Sequence, residues 1–276
     1  MKTILIPVDF STVCNNAINF AVALVNESKA ERIVLLKSFY ISIYAELLPS
    51  ADFVQLNADD IREERGKAIA QLKQLQENIQ SQVSASVKVD TALSESPLLR
   101  AVHEAIAEIK PDLLVLGSNS SELDEGYIAG ELVSIAKSSP VPVLVVPADA
   151  AYRSIKNVLV PVELKTASGL ALLDGLKLIA PNEQPQLLLL DIDENSREHQ
   201  EELNKAIADL MVGYRYEVYQ ANERNKIHAI LSFARENNLD LIAALPGKNS
   251  FFYNLTHRNI TEALALNAKR PVLILK

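Results

Sequence analysis

The stretch KTILIPVDF, Lys2 to Phe10, is written a second time as KNVLVPVEL, Lys156 to Leu164. Each copy runs lysine, polar residue, three aliphatic residues, proline, valine and a carboxylate. Such a run reads as a strand buried on both faces, followed by a turn that presents an acidic side chain, Asp9 or Glu163. Two copies predict two domains, 1–150 and 151–276, and the 276 residues suffice for two cores of ordinary size.

Outward from Asp9 the chain alternates strands and helices. Ser11 or Thr12 can cap a helix carrying Ala17, Phe20, Ala21 and Leu24 at helical spacing. RIVLLKSF (32–39) reads as the second strand, and 60–82 as a long helix. SVKVD (86–90) reads as a short third strand, and Pro97 opens a helix that Pro111 closes. DLLVLGSN (112–119), a helix over 130–138 and VPVLVVP (141–147) complete the first unit. The second unit repeats that order, with helices over 167–179, 194–211, 226–237 and 254–267 and strands over 156–162, 186–191, 215–219, 239–245 and 271–275. The offset between copies falls from 154 residues at Lys2/Lys156 to 128 at Asp112/Asp240, so the second unit lacks most of Tyr40–Asp60. That segment, with Tyr44, Leu48 and Phe53, is expected to form a flap over the first unit's crevice. The alternation predicts an α/β fold of two doubly wound, five-stranded parallel-sheet domains.

Charge and composition narrow the function. Residues 1–150 hold 12 Lys+Arg against 20 Asp+Glu, and residues 151–276 hold 15 against 15, so the whole excess of −8 lies in the first half. Neither half has the clustered basic residues that phosphate backbones require, which disfavours nucleic acid as a partner. No apolar run approaches the roughly twenty residues that span a bilayer, and no signal-peptide pattern opens the chain; a cytoplasmic protein with no membrane partner is expected. Cys14 is the only cysteine and reads as a small packing residue. His103, His199, His228 and His257 are scattered, with no metal-ligand spacing, and no GxxxxGK[ST], GxGxxG or GxSxG motif occurs. No catalytic residues and no metal are therefore expected.

A doubly wound sheet binds ligands beyond the carboxyl ends of its strands where the strand order reverses, which sets Asp9 opposite Gly117. The spacing there is Gly117, two residues, Ser120, nine residues, Gly130, Glu131, with Pro7-Val8-Asp9 upstream and PVPVLVV downstream. This resembles the universal stress protein family in its tandem, two-domain form. The resemblance implies an adenine-nucleotide α-hydrolase-like fold with strand order 3-2-1-4-5. It implies that the fifth strands pair antiparallel, making the chain an intramolecular pseudo-dimer, with a homodimer of the whole chain as a further form. It also implies a site of Pro7, Asp9, Gly117, Asn119, Ser120, Gly130 and Glu131, at which Asp9 meets the adenosine part of ATP.

Two positions depart from the nucleotide-binding members, which carry a second glycine where Ser120 stands and Ser or Thr where Glu131 stands. A Cβ at 120 obstructs close backbone approach, and a carboxylate at 131 replaces a hydroxyl donor. Glu122, Asp124 and Glu125 add acids, with no base between Ser118 and Ser134. In the second unit the glycine positions fall on Leu245, Lys248 and Arg258, the Ser/Thr position falls on Asn259, and Glu163 replaces the aspartate. The expectation is a non-enzymatic stress-response protein with a degenerate nucleotide site, acting by association with protein partners. No cofactor is tightly held, and ATP or another adenine nucleotide binds weakly at most. The competing reading is an adenine-nucleotide binder that uses the first crevice.

Overall fold

The computed structural model describes residues 2–28, 30–40, 58–118, 127–162, 164–180, 184–192, 196–221, 226–245 and 269–276. Its first half runs β1 (Thr3–Pro7), α1 (Thr12–Glu27), β2 (Arg32–Ser38), α2 (Ala58–Gln82), β3 (Lys88–Ser94), α3 (Leu98–Ile109), β4 (Leu113–Ser118), α4 (Tyr127–Ser138) and β5 (Val143–Pro147). The second half runs β6 (Asn157–Val162), a 3-10 helix (Leu164–Leu178), β7 (Gln186–Asp191), α5 (Ser196–Leu210), β8 (Arg215–Gln220), α6 (Lys226–Glu236), β9 (Leu241–Ala244) and β10 (Val272–Ile274).

The ten strands of the described residues join one sheet in the order β3-β2-β1-β4-β5-β10-β9-β6-β7-β8. Read inward from either edge, each half has the order 3-2-1-4-5, and every pairing within a half is parallel. The halves meet where β5 and β10 pair antiparallel, Val272 with Val145, Leu273 with Leu144 and Ile274 with Val143. Pairing these apolar strands with each other removes two exposed edges from the protein.

The aliphatic runs are central strands because both faces are covered. On one face α1, α2, the 3-10 helix and α5 supply Phe20, Leu72, Leu173 and Ile207 to a core that also takes Ile4, Val115, Val160 and Leu273. On the other face α3, α4 and α6 supply Val102, Ile135 and Ile230 against Leu5, Leu116, Leu159 and Ile242. Each such buried side chain contributes about 1.5 to 3 kcal/mol relative to exposure.

Local chemistry sets the helix ends. Ser11 caps α1, its hydroxyl accepting the Cys14 N–H. Lys110 ends α3 in the left-handed conformation, φ 51°, its N–H closing on the Ile106 carbonyl ahead of Pro111.

Three expectations are refined. The helix expected over 167–179 is present as a 3-10 helix over Leu164–Leu178. Gly169 and Gly175 lower its α propensity, and Gly175 packs tightly against Leu275, a methyl group at that position lying 2.7 Å from Leu275 Cδ2. Helix α4 begins at Tyr127, three residues before the expected Gly130, because Tyr127 and Ile128 continue its helical run. Strand β3 extends to Ser94, since Thr91 through Ser94 stay in register with Leu35 through Ser38. The expected flap, apart from Tyr40 and 58–60, and the helix over 254–267 lie outside the described residues.

Candidate functional site

Strands β1 and β4 are neighbours, Ile4 level with Leu113 and Leu5 with Leu114, so their carboxyl ends open on the same edge of the sheet. Pro7 ends β1, half-buried, and its carbonyl accepts the Cys14 thiol at 3.6 Å. Asp9 stands exposed beyond it, and its Oδ1 accepts the Ser11 N–H at 2.8 Å. Phe10, at φ 67°, makes the left-handed step that turns the strand into α1. Lys37 lies over the Phe10 ring, 5.0 Å from its centroid. The carboxylate of Asp9 thus organises the turn and stays accessible at the crevice mouth.

Gly117 is the penultimate residue of β4, where α1 crosses it. A methyl group there would lie 2.8 Å from the Val13 carbonyl oxygen and 3.0 Å from Val13 Cγ1. The first glycine of the spacing is therefore fixed by helix-on-strand packing. Ser118, one residue further, is 1% exposed, and its hydroxyl has no hydrogen-bond partner among the described residues. A buried hydroxyl left unpaired costs about 1 to 3 kcal/mol, which marks the end of β4 as a place suited to a further donor or acceptor. The sequence reading passed over Ser118. The available signal was a hydroxyl at the end of a strand otherwise buried on both faces.

Gly130 sits in the first turn of α4, and Glu131, half-buried, opens the second. The first four N–H groups of α4 are therefore those of residues 127 to 130, and Gly130 is the last of them. Asn119 and Ser120, with Glu122, Asp124 and Glu125, lie outside the described residues. The structure brings together Pro7, Asp9 and Gly117 around the start of α1. Gly130 and Glu131 belong to the helix on the other face of the sheet.

The Cys14 thiol is pushed up to about 11, first by burial, with the Asp9 charge adding to it and backbone hydrogen bonds opposing. It is a neutral packing group at pH 7, not a nucleophile. His103 bonds Ser138 Oγ at 2.7 Å, and His228 approaches Ser232 Oγ at 3.5 Å, both across helix surfaces. Among the described residues no group of three His, Cys, Asp or Glu side chains could hold a metal ion.

In the second half the strand registers place Leu245 where Gly117 stands in the first: β9 pairs β6 at Leu241/Val158 as β4 pairs β1 at Leu113/Ile4. Leu245 is 2% exposed and belongs to the core beneath the 3-10 helix. Its side chain lies on the face of the sheet that α1 covers in the first half. Glu163, Lys248, His257, Arg258 and Asn259 lie outside the described residues.

Two doubly wound α/β halves joined through their fifth strands, with a glycine at the switch point of one half only, define a tandem fold of the adenine-nucleotide α-hydrolase-like class. The model of the universal stress protein family matches residues 1–147, and the chain belongs to that family. A universal stress protein from Archaeoglobus fulgidus DSM 4304 is similar over 99% of this chain and 98% of that one, at 17% identity and a TM-score of 0.66. A functionally unknown protein from Pseudomonas aeruginosa PAO1 is similar over 100% and 92%, at 14% identity and a TM-score of 0.55. The cytoplasmic domain of a prokaryotic cation chloride cotransporter is similar over 99% and 95%, at 14% identity and a TM-score of 0.56. At these identities the likeness is one of fold. The comparison with curated proteins gave no match. No described helix is long and apolar enough to cross a membrane.

Proposed function

We propose that this chain is a cytoplasmic, non-catalytic member of its family, built as units 1–150 and 151–276, that works by association with protein partners while its nucleotide crevices have degenerated. The observation that carries this reading is Leu245, a buried leucine at the strand position where the first half has Gly117 packed under Val13. In the first half the obstacle is charge. Glu131 stands in the second turn of α4, and a like charge about 5 Å from a phosphate costs roughly 3 kcal/mol at an effective dielectric near 20.

A second reading, an adenine nucleotide held in the first crevice, is favoured by the accessible carboxylate of Asp9, the retained Gly117 and the buried Ser118 hydroxyl. On that reading Asp9 meets the adenosine part, while Gly117, Asn119 and Gly130 approach the phosphates. Titration calorimetry with ATP separates the two. The first reading expects negligible heat from the natural protein, and a gain of at least about tenfold in affinity when Glu131→Ser and Ser120→Gly are combined, because a repelling charge is removed. Tight binding by the natural protein, or co-purified nucleotide shifting its absorbance toward 260 nm, establishes the second reading instead.

A further inference from the structure

Strand β3 is an outer edge of the ten-stranded sheet, and the described residues close only part of it. Gln80 Oε1 accepts the Val89 N–H at 3.0 Å, and Gln76 Nε2 donates to the Val89 carbonyl at 2.7 Å. Two glutamines of α2 thus stand in for a neighbouring strand at Val89. Backbone groups of a parallel strand alternate in direction, so the N–H and C=O of Thr91 and Leu93 point the same way as those of Val89. Among the described residues none of these four groups has a partner. An edge that the described residues leave unpaired is a template for an added strand.

Both sides of that edge are shaped. On one side α2 runs alongside, anchored at its far end by Arg65 on Glu95 at 3.2 Å. Ile69, on the same helix face between Arg65 and Gln76, is 43% exposed. On the other side a cavity of about 650 Å³ lies between the β2–β3 surface and α3. Its lining includes four carboxylates, Asp90, Glu95, Glu104 and Glu108, against the single guanidinium of Arg32. Arg32 and Lys88 both pair with Asp90, and Arg100 with Glu104, whereas Glu108, one turn further along α3, has no partner among the described residues.

We infer that Thr91–Leu93 is a docking edge for an extended peptide with alternating apolar and basic side chains, which adds as an eleventh strand, its apolar residues on Ile69 and its basic residues in the carboxylate-lined cavity. Pairing of main-chain groups supplies the attachment, and the two flanking surfaces supply the choice of sequence. The inference rests on the reading that the chain works by association, and it names the surface and the class of partner.

The test uses the full chain and a fluorescein-labelled, blocked pentapeptide lysine-valine-lysine-valine-lysine, followed by fluorescence anisotropy. Binding is expected to weaken as salt rises, and the matching glutamate-valine peptide is expected to bind at least about tenfold more weakly. Thr91→Pro removes one outward N–H at an edge position that tolerates proline, and should reduce binding by about tenfold or more. Glu108→Lys should weaken it by a similar factor while leaving the edge open. Where Thr91→Pro does not fold, a peptide N-methylated on alternate residues keeps the test, since it cannot complete the ladder and should not bind. No binding of the basic peptide, equal binding of the acidic or N-methylated one, or concentration-dependent dimerisation abolished by Thr91→Pro would each overturn the inference, the last by assigning the edge to a second copy. ATP titration on the same samples reads the nucleotide site separately, so loss of the peptide site leaves the broader reading standing.

Discussion

Asp112 Oδ2 accepts the backbone N–H of Thr3 at 2.8 Å, and the same oxygen takes the N–H of Lys2 at 2.7 Å. The second half repeats the bond: Asp240 Oδ2 accepts Asn157 at 2.9 Å and Lys156 at 3.0 Å. In each half a carboxylate just before the fourth strand fastens the first residues of the opening strand. These contacts lie at the amino ends of the strands, opposite the crevice, and fix the β1–β4 and β6–β9 registers on which the site depends.

Asp112→Ala leaves two strand-end N–H groups without their charged acceptor. The expected loss is about 2 kcal/mol, in the range for hydrogen bonds to charged groups, while Asp112→Asn keeps an acceptor oxygen and should lose about half as much. Urea unfolding of the full chain checks both values. Equal stability of Asp112→Ala and the natural protein would show that water replaces the carboxylate.

Much of this was legible beforehand. Runs such as ILI, VLL and LLVL name central strands, because only a sheet covered on both faces buries unbroken aliphatic stretches. The fall in offset from Lys2/Lys156 to Asp112/Asp240 preserves the repeated clamp, which sequence alone could align but not explain. The 3-10 helix was hidden because Leu164–Leu178 carries helical spacing of apolar residues and gives no sign of what lies beneath it. The start of α4 was misplaced because Gly130 is a plausible boundary residue, although glycine is tolerated in a first turn. For the site, the positions of Gly117 and Leu245 were readable, but their meaning required the packing. One residue is small because Val13 crosses it, and the other is a leucine buried in the core on the same face of the sheet.

Cys14 gives a prediction with a definite sign. Its folded pKa, near 11, lies above the ordinary value of 9.0 because burial disfavours the thiolate. A raised acid pKa contributes stability below the unfolded value, and this is lost as pH rises from about 9 toward 11. The loss attributable to this thiol is about 2 to 3 kcal/mol by linkage. Subtracting the pH dependence of a Cys14→Ala variant isolates it from tyrosine and lysine titration. In the same protein a disulfide reagent at pH 8 should label Cys14 at the rate of opening, so labelling speeds up in urea. Prompt labelling under native conditions would place the thiol at the surface.

The two halves are expected to unfold together. The sheet crosses the junction through three residue pairs of β5 and β10, and the core on the α1 face holds Leu144, Val146, Leu273 and Leu275 in one cluster. A further tie reaches across the same boundary: Lys276 Nζ donates to the carbonyls of Ala136 and Lys137 at 2.9 and 3.1 Å, closing the C-terminal turn of α4 with a cation. Cations at that end of a helix are favourable, while burial, which lowers the Lys276 pKa, opposes the charged form, so the two bonds together are worth about 1 kcal/mol. Calorimetry should therefore show one transition for the natural protein. Leu273→Asp places a charge in the buried junction and should separate the transition into two, while Lys276→Ala should lower it without splitting it. Two transitions in the natural protein would mean that each half is stable without the other and that the shared ladder contributes little. A single transition retained by Leu273→Asp would move the coupling away from the strands and onto the helices that flank them.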